Sequence, residues 1–449
     1  MSDRPAVTEK AGIEHISDEQ RHGSSGRIFT LWFAANLTVA DYVIGVLCVQ
    51  AFGLTVLQSI PVLLVGNLLG GVMLGLSAAM GPKLGFPQML SSRSSFGRRG
   101  NYAFGGLNWI STIGWFTVNT ILGVEALEAI YPAINFYAAA TGLVAVQALV
   151  AIYGHDFIHL FEKVMSVALG ILFLGVFILT LPKLGAALSY VPPGGSTGVP
   201  ALGPVGVVLA TSFSYLMSWA PYASDYSRYL PASVSGRRVA LLALAGGATA
   251  SFAIEVIGVL VGSLTPVQGF FQALYSFSGS FGPLAILAII LGAMAANALN
   301  IYTNSLSALV LDIKTRRWVT VVAGALVGLA LSFVGQANFV VNYQNFLFVL
   351  DYWITPWLGI VLVDYYVSKR TTVATASSPV TTDWGAMGAY LVAVLVSVPF
   401  MVPALPLGYP FGALAFVFGG ADFSYFISFF VAVGVAYALR RRAPNRAQT

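Results

Sequence analysis

Twelve stretches of about 20 mostly apolar residues, separated by short polar segments, run through almost the whole chain. That length matches the hydrocarbon thickness of a bilayer. In lipid every backbone polar group must find its partner within the segment, so such stretches fold as helices. The spans fall near 29–52, 55–80, 102–131, 135–153, 164–181, 205–229, 239–264, 283–311, 319–334, 346–367, 384–402 and 423–439. The proline-rich stretch 403–421 reads as a loop, a half-helix or part of the last span. Only 9 % of residues are charged, against roughly 25 % in soluble domains. So few charges could not cover a water-facing surface of this size. The expected class is an all-α membrane protein of about twelve transmembrane helices.

The basic residues then orient the bundle. With loops assigned alternately to the two sides, all but Lys183 of the 22 basic residues fall on the side of the N-terminus. The positive-inside rule places that side, and both termini, in the cytoplasm of a multi-pass cell-membrane protein. The net charge of +5 is thus a topology signal and not a nucleic-acid footprint. The charged tail 1–27 precedes an apolar run too long for a cleavable leader. The segment 371–382, rich in Ser, Thr, Ala and Val, reads as a flexible linker. Cys48 is the single cysteine, which excludes an intrachain disulfide. His155 and His159 are spaced i, i+4, but a solvated pair explains them better than a metal site. No prosthetic cofactor is expected, and oligomeric state is not legible.

Polar groups inside the spans are costly, so each needs a reason. Asn36, Thr38 and Asp41 lie together in the first span, where an unwound turn would offer carbonyls to a cation. The sixth span carries Ser218, Trp219 and Pro221. Proline breaks a helix, and a break at membrane depth persists only where it lines a protein cavity. Interruptions at corresponding places in two halves point to a transporter's binding site. In the third span Trp115 and Asn119 share one helix face, an indole plate with an amide one turn away. Asn297, Asn300, Thr303 and Asn304 crowd the eighth span. Glu125, Glu255 and Asp351 are further intramembrane acids, while Asp225 reads as a local ion pair with Arg228.

At these residues the chain resembles the nucleobase:cation symporter family, the purine and cytosine permeases, and most of all its fungal-type cytosine–purine branch. The resemblance rests on Gly114-Trp115-Phe116, on Arg93-Ser94-Ser95-Phe96-Gly97 and on Trp219 to Asp225. It also rests on Asn300 to Thr303 and on Asp364-Tyr365-Tyr366. It implies two inverted five-helix repeats, as in the leucine-transporter fold, plus two C-terminal helices. In this chain the repeats would be 28–182 and 203–370, joined by a linker 371–383 to helices within 384–439 and a tail 440–449. It also implies an aromatic sandwich around a planar substrate. Trp115 matches one plate. Trp219 is the choice for the other, with Phe213 or Tyr215 as alternatives. Ser218, Asn119 and Asn300 are expected beside the ring. The family's sodium site implies Thr38 and Thr303, with Asp41 and Asn304 beside them. Asp41 departs from the family pattern and leaves sodium and proton both open as the coupled ion.

The expected function is cation-coupled uptake of a nucleobase, cytosine or a purine such as adenine or hypoxanthine, by alternating access. Its partners are the substrate and the lipid bilayer. The same site chemistry would accept another planar heterocycle, for example a vitamin-like pyrimidine or pyridine, a hydantoin or allantoin. A channel would want a continuous polar stripe or charged ring, and the polar residues here are focal. An enzyme would want a nucleophile–base pair or a metal cluster, and the sequence offers neither.

Overall fold

The chain's computed structural model describes residues 12–153, 155–195, 197–266, 269–313, 316–402 and 411–442, and all regular structure among them is helical. The first crossing is a bent pair, α1 (Gly26–Ala35) and α2 (Val39–Gln50), whose axes meet at 55°. Then come α3 (Val56–Ala78), α4 (Arg93–Ile130), α5 (Phe136–Tyr153) and α6 (His155–Thr180). The sixth crossing is α7 (Leu202–Met217) continued by the short α8 (Ala223–Ser227). It is followed by α9 (Gly236–Leu264), the short α10 (Phe270–Phe277), α11 (Gly282–Val310), α12 (Arg317–Gly335) and α13 (Phe339–Leu362). Two more, α14 (Trp384–Ser397) and α15 (Ser424–Arg442), close the described chain.

Among the described residues eight helices are long and apolar enough to span a bilayer, and the bent pair makes nine. Shorter apolar helices at Phe136–Leu149 and Trp384–Phe400, together with α15, stand where the other three spans are expected. Residues 403–410 lie outside the described chain. Beyond them Ala413–Val417 is a short helix, not a span. The side chains of His155 and His159 also lie outside the described residues.

Both expected breaks are present. In the first, the Asn36 side-chain amide donates to the Trp32 carbonyl at 2.7 Å, and Thr38 is extended at φ −118°. Short polar side chains offer the backbone such alternatives to helical bonding. In the sixth crossing α7 gives way to a 3-10 turn at Ala220–Tyr222 that contains Pro221, which has no N–H to give. Helix α9 lies against both halves of the first break, α6 lies against α1, α3 lies against α9 and α7, and α11 lies against α4. The pair α14 and α15 packs on α13 at the edge of this core.

At the end of the bundle that gathers the arginines, the structure adds order that hydropathy does not foretell. Helix α4 begins at Arg93, well before the apolar run, and bends at Gly97, whose φ is +76°. A Cβ there would sit 2.6 Å from the Thr381 carbonyl. The segment 371–382 has no helix, yet it is docked and not a free linker. Arg98 donates to the carbonyls of Ala376 and Ser378 at 2.7 and 2.8 Å, and Arg99 N–H donates to Thr381 at 2.8 Å. Asp312 is clasped by Arg93, Arg98 and the Tyr102 hydroxyl. Burial alone would raise the Asp312 carboxyl, but these donors outweigh it and hold the group below the usual carboxylate range. A second cluster joins Arg440 to both oxygens of Asp364, at 2.7 and 3.0 Å, and to Asp383 at 3.0 Å.

Candidate functional site

Three helices, α4, α11 and α5, bring the amide-bearing residues to one locus. Trp115 and Asn119 project from α4, and Asn297 and Asn300 from α11, the pair of helices with the most intimate packing in the core. Asn297 is the hub. Its Nδ2 donates to the Phe116 carbonyl at 3.0 Å and to Gln147 Oε1, on α5, at 3.1 Å. Its Oδ1 accepts from Asn119 at 3.1 Å and from Asn300 at 3.4 Å. The hub therefore fixes both outer amides by one end each. The other ends, Asn119 Oδ1 and Asn300 Oδ1, are buried and have no hydrogen-bond partner. Trp115 Nε1 is likewise buried and unpartnered. Leaving buried polar atoms unmade costs roughly 1–3 kcal/mol each, and a ligand with complementary polar edges is one way to recover that cost.

The aromatic surroundings divide in two. Trp115, 4 % exposed, meets Tyr215 edge-on at 5.2 Å between ring centres, Phe346 at 5.3 Å and Tyr343 at 6.2 Å. Trp219 lies one turn beyond Tyr215 and packs with Trp32 and Tyr222, both edge-on. Its indole N–H donates to Asn36 Oδ1 at 3.0 Å. The structure does not bring Trp115 and Trp219 into ring contact, and of the three sixth-span aromatics it places Tyr215 against Trp115. Phe213 is two residues from Tyr215 and so lies on the opposite helix face. It stacks on Tyr425 of α15 at 5.0 Å. The Ser218 hydroxyl turns back to the Tyr215 carbonyl at 2.7 Å, at the end of α7.

Two hydrogen bonds tie the first break to the sixth crossing: Asn36 to Trp219, and Thr38 to the Tyr215 hydroxyl at 2.6 Å. Nearby, Asp41 accepts from Ser251 of α9 at 3.0 Å. The other expected cation ligands are elsewhere. The break packs on Gly292 of α11, where an added Cβ would sit 2.5 Å from the Leu37 carbonyl. Thr303 is a further eleven residues along that helix, about 16 Å at 1.5 Å per residue. Its hydroxyl donates to Asp225 at 2.8 Å. Asn304 faces α4, donating to the Trp109 carbonyl and Thr112. Thr38 and Asp41 thus share a locus that Thr303 and Asn304 do not join. Asp225 accepts also from the Gln88 backbone N–H at 2.9 Å, which gives it a role between helices beyond any local ion pair.

Sequence reasoning passed over Gln147 and Tyr343. A polar residue at full burial in the fourth apolar span was the available signal for Gln147. Tyr343 had none, because a lone tyrosine near a span end is ordinary interfacial composition.

Two interrupted helices bridged at their breaks, with an aromatic and amide cluster beside them, form the architecture of a transporter site. The family model described as permease for cytosine/purines, uracil, thiamine, allantoin matches residues 15–430. The chain belongs to that family. It is 30 % identical over 449 aligned residues to a putative purine-cytosine permease, YxlA, of Bacillus subtilis, covering 96 % of each chain. It is 28 % identical to the purine-cytosine permease fcyB of Emericella nidulans, covering 81 % of this chain and 74 % of the other. Its fold is similar to that of Mhp1, a nucleobase-cation-symport-1 family transporter solved closed with bromovinylhydantoin bound. The TM-score is 0.77 at 19 % identity, covering 98 % of this chain and 96 % of that one. The permease is accordingly a multi-pass membrane transporter with the expected all-α, leucine-transporter-like fold, and its family is one of permeases and not of enzymes.

Proposed function

We propose that this permease imports a planar nucleobase, cytosine or a purine such as adenine or hypoxanthine, across the cell membrane in symport with a cation. One observation carries the reading. Trp115 Nε1, Asn119 Oδ1 and Asn300 Oδ1 are buried, unpartnered and gathered on two packed helices. A flat ring laid on the Trp115 indole would meet donors and acceptors along its edge, and amides can present either end. The family description and the purine-cytosine permeases among the relatives support the substrate class. Tyr215 is the proposed second aromatic wall. Trp219 and Asn36 then serve as a latch between the two breaks. Thr38 and Asp41 are proposed as the cation end of the site, with Na+ or H+ as the coupled ion. The charge bias of the loops supports cytoplasmic termini, and the breaks support repeats over 28–182 and 203–370.

Trp115 is buried, so substrate arrives only as helices part, as alternating access requires. A second reading keeps the site and changes the ring, since the family description includes uracil, thiamine and allantoin. The test is a thermal-shift screen of the purified protein against cytosine, adenine, hypoxanthine, hydantoin, allantoin and pyridoxine, with and without sodium at two pH values. A rise in unfolding temperature with cytosine or a purine is expected, and it should disappear in Trp115→Ala. A response confined to allantoin or pyridoxine would select the second reading. Silence toward every ring would sink both.

A further inference from the structure

Two buried acids sit beside the first break, and the ring site uses neither directly. Asp41 on α2 and Glu255 on α9 are each fully buried. Their helices touch backbone to backbone: a Cβ on Gly45, one turn after Asp41, would overlap the Glu255 carbonyl. Ser251, one turn before Glu255, donates to Asp41 Oδ2. Glu255 Oε2 accepts from Asn67 of α3 and, at 3.3 Å, from Ser212 of α7. Asp41 Oδ1 and Glu255 Oε1 accept nothing. The two carboxyls lie within electrostatic reach of each other. The titratable groups facing them are Cys48 from α2, Tyr215 from α7 and Tyr343 from α13, all neutral near pH 7 at their ordinary values. Neither carboxyl has an ion-pair partner among the described residues.

Two like charges cannot both persist in an apolar interior without a cation. A hard metal ion asks for several oxygens gathered from the helices around it. The α11 positions opposite the break, 291–296, read Leu-Gly-Ala-Met-Ala-Ala and carry no side-chain oxygen. Gly292 already closes on the Leu37 carbonyl. A proton needs only one free lone pair, and the pair has two.

We propose that Asp41 and Glu255 together hold the coupled ion, and that this ion is a proton. The proposal rests on the symport reading above and names its cation. A proton from the outer water forms an O–H bond on one of the two free carboxylate oxygens. The same bond breaks when the proton passes to water on the inner side, and nothing is oxidised or reduced. The link to substrate is short. Tyr215 bonds Thr38 and touches the Trp115 ring, and Tyr343 donates to the Ala40 carbonyl at 3.3 Å and touches the same ring. Neutralising the pair therefore resets residues that wall the ring site.

The experiment uses the full chain in sodium-free proteoliposomes with radiolabelled cytosine and an inward gradient of about one pH unit, which caps one-proton accumulation near tenfold. Wild type should accumulate cytosine several-fold, and Glu255→Gln and Asp41→Asn should only equilibrate it. Cytosine should still raise the unfolding temperature of both variants, which separates lost coupling from lost folding. Wild-type accumulation by Glu255→Gln, or wild-type uptake driven by sodium without a pH gradient, would overturn the proposal. If cytosine neither binds nor moves in wild type, the substrate reading fails first. Infrared spectroscopy then tests the pair alone. A protonated-carboxyl band present in wild type and missing in Glu255→Gln or Asp41→Asn upholds it, and an identical band in all three overturns it.

Discussion

Carboxylates are buried at two depths in this protein, and they are treated in opposite ways. Where the arginines gather, every oxygen of Asp312, Asp364 and Asp383 accepts at least one hydrogen bond, mostly from guanidinium groups. In the centre of the bundle Asp41 and Glu255 each leave one oxygen without a donor, and Asp351 leaves both. The amides do not divide so cleanly: Asn119 and Asn300 are each free at one end, and so are Asn67, Asn108 and Asn304. Saturated polar groups hold helices together, whereas unsaturated ones at membrane depth cost free energy that packing alone does not justify. Among these carboxylates the contrast sets the arginine-held acids apart from the acids beside the first break.

The sharpest way to break the comparison is Arg440→Ala. It removes the hydrogen bonds to both oxygens of the fully buried Asp364, leaving only the Arg370 guanidinium 3.8 Å from one of them, and should cost about 2–3 kcal/mol of stability. The readout is a lower unfolding temperature in detergent with unchanged cytosine affinity. A loss of affinity without a loss of stability would show that the arginine cluster belongs to the site. Next is Trp115→Ala, which should weaken cytosine binding by about 1–3 kcal/mol, the value of a stacked base. Because the indole is buried against Tyr215, Phe346 and Tyr343, the empty protein should also unfold at a lower temperature, so affinity is measured where the variant is still folded. Equilibrium binding of labelled cytosine measures it. Asn297→Ala should lose about 1 kcal/mol of affinity although Asn297 itself has no free end, because it holds Asn119 and Asn300 in place. Combining it with Asn119→Ala should add little, since the two act through one network.

The smallest effect concerns acid. Asp383, like Asp312, is held below the usual carboxylate range: burial pushes it up, but the Ala386 N–H, Arg370 and Arg440 more than compensate. A carboxyl with a lowered folded value stabilises the fold above the unfolded value, about 3.9 for Asp, and that contribution fades as pH falls through the folded one. Unfolding temperatures should therefore hold from neutral pH down to about pH 5 as far as these two groups are concerned, and drop below about pH 4. Asp312→Asn should blunt that drop. An unaltered acid profile in the variant would remove Asp312 from the account.

Much of the site was legible because it violates local rules. Pro221 inside an apolar span and the Asn36, Thr38 and Asp41 group in the first both announce breaks, and both breaks formed. Trp115, Asn119 and Asn300 could be named from helix spacing and family likeness, and the fold brings them together. The partners across helices were not legible. Tyr215 and Phe213 look alike as sixth-span aromatics, and only the placement of α13, α4 and α15 shows which of them meets Trp115 and which meets Tyr425. Thr303 and Thr38 seemed to share a cation site, but register along α11 separates them.

The chain alone determined the number of apolar stretches, the helical backbone inside them, and the places where a helix must break. These follow from the solvent, since hydrocarbon offers no hydrogen bonds and tolerates no stray charge. Tertiary packing decided which polar ends are satisfied and which stay open, that 371–382 is docked, and that Asp41 and Glu255 are carried by helices in backbone contact. Those outcomes depend on the rotation and depth of each helix against its neighbours, which a pattern of apolar residues buried on most faces does not encode.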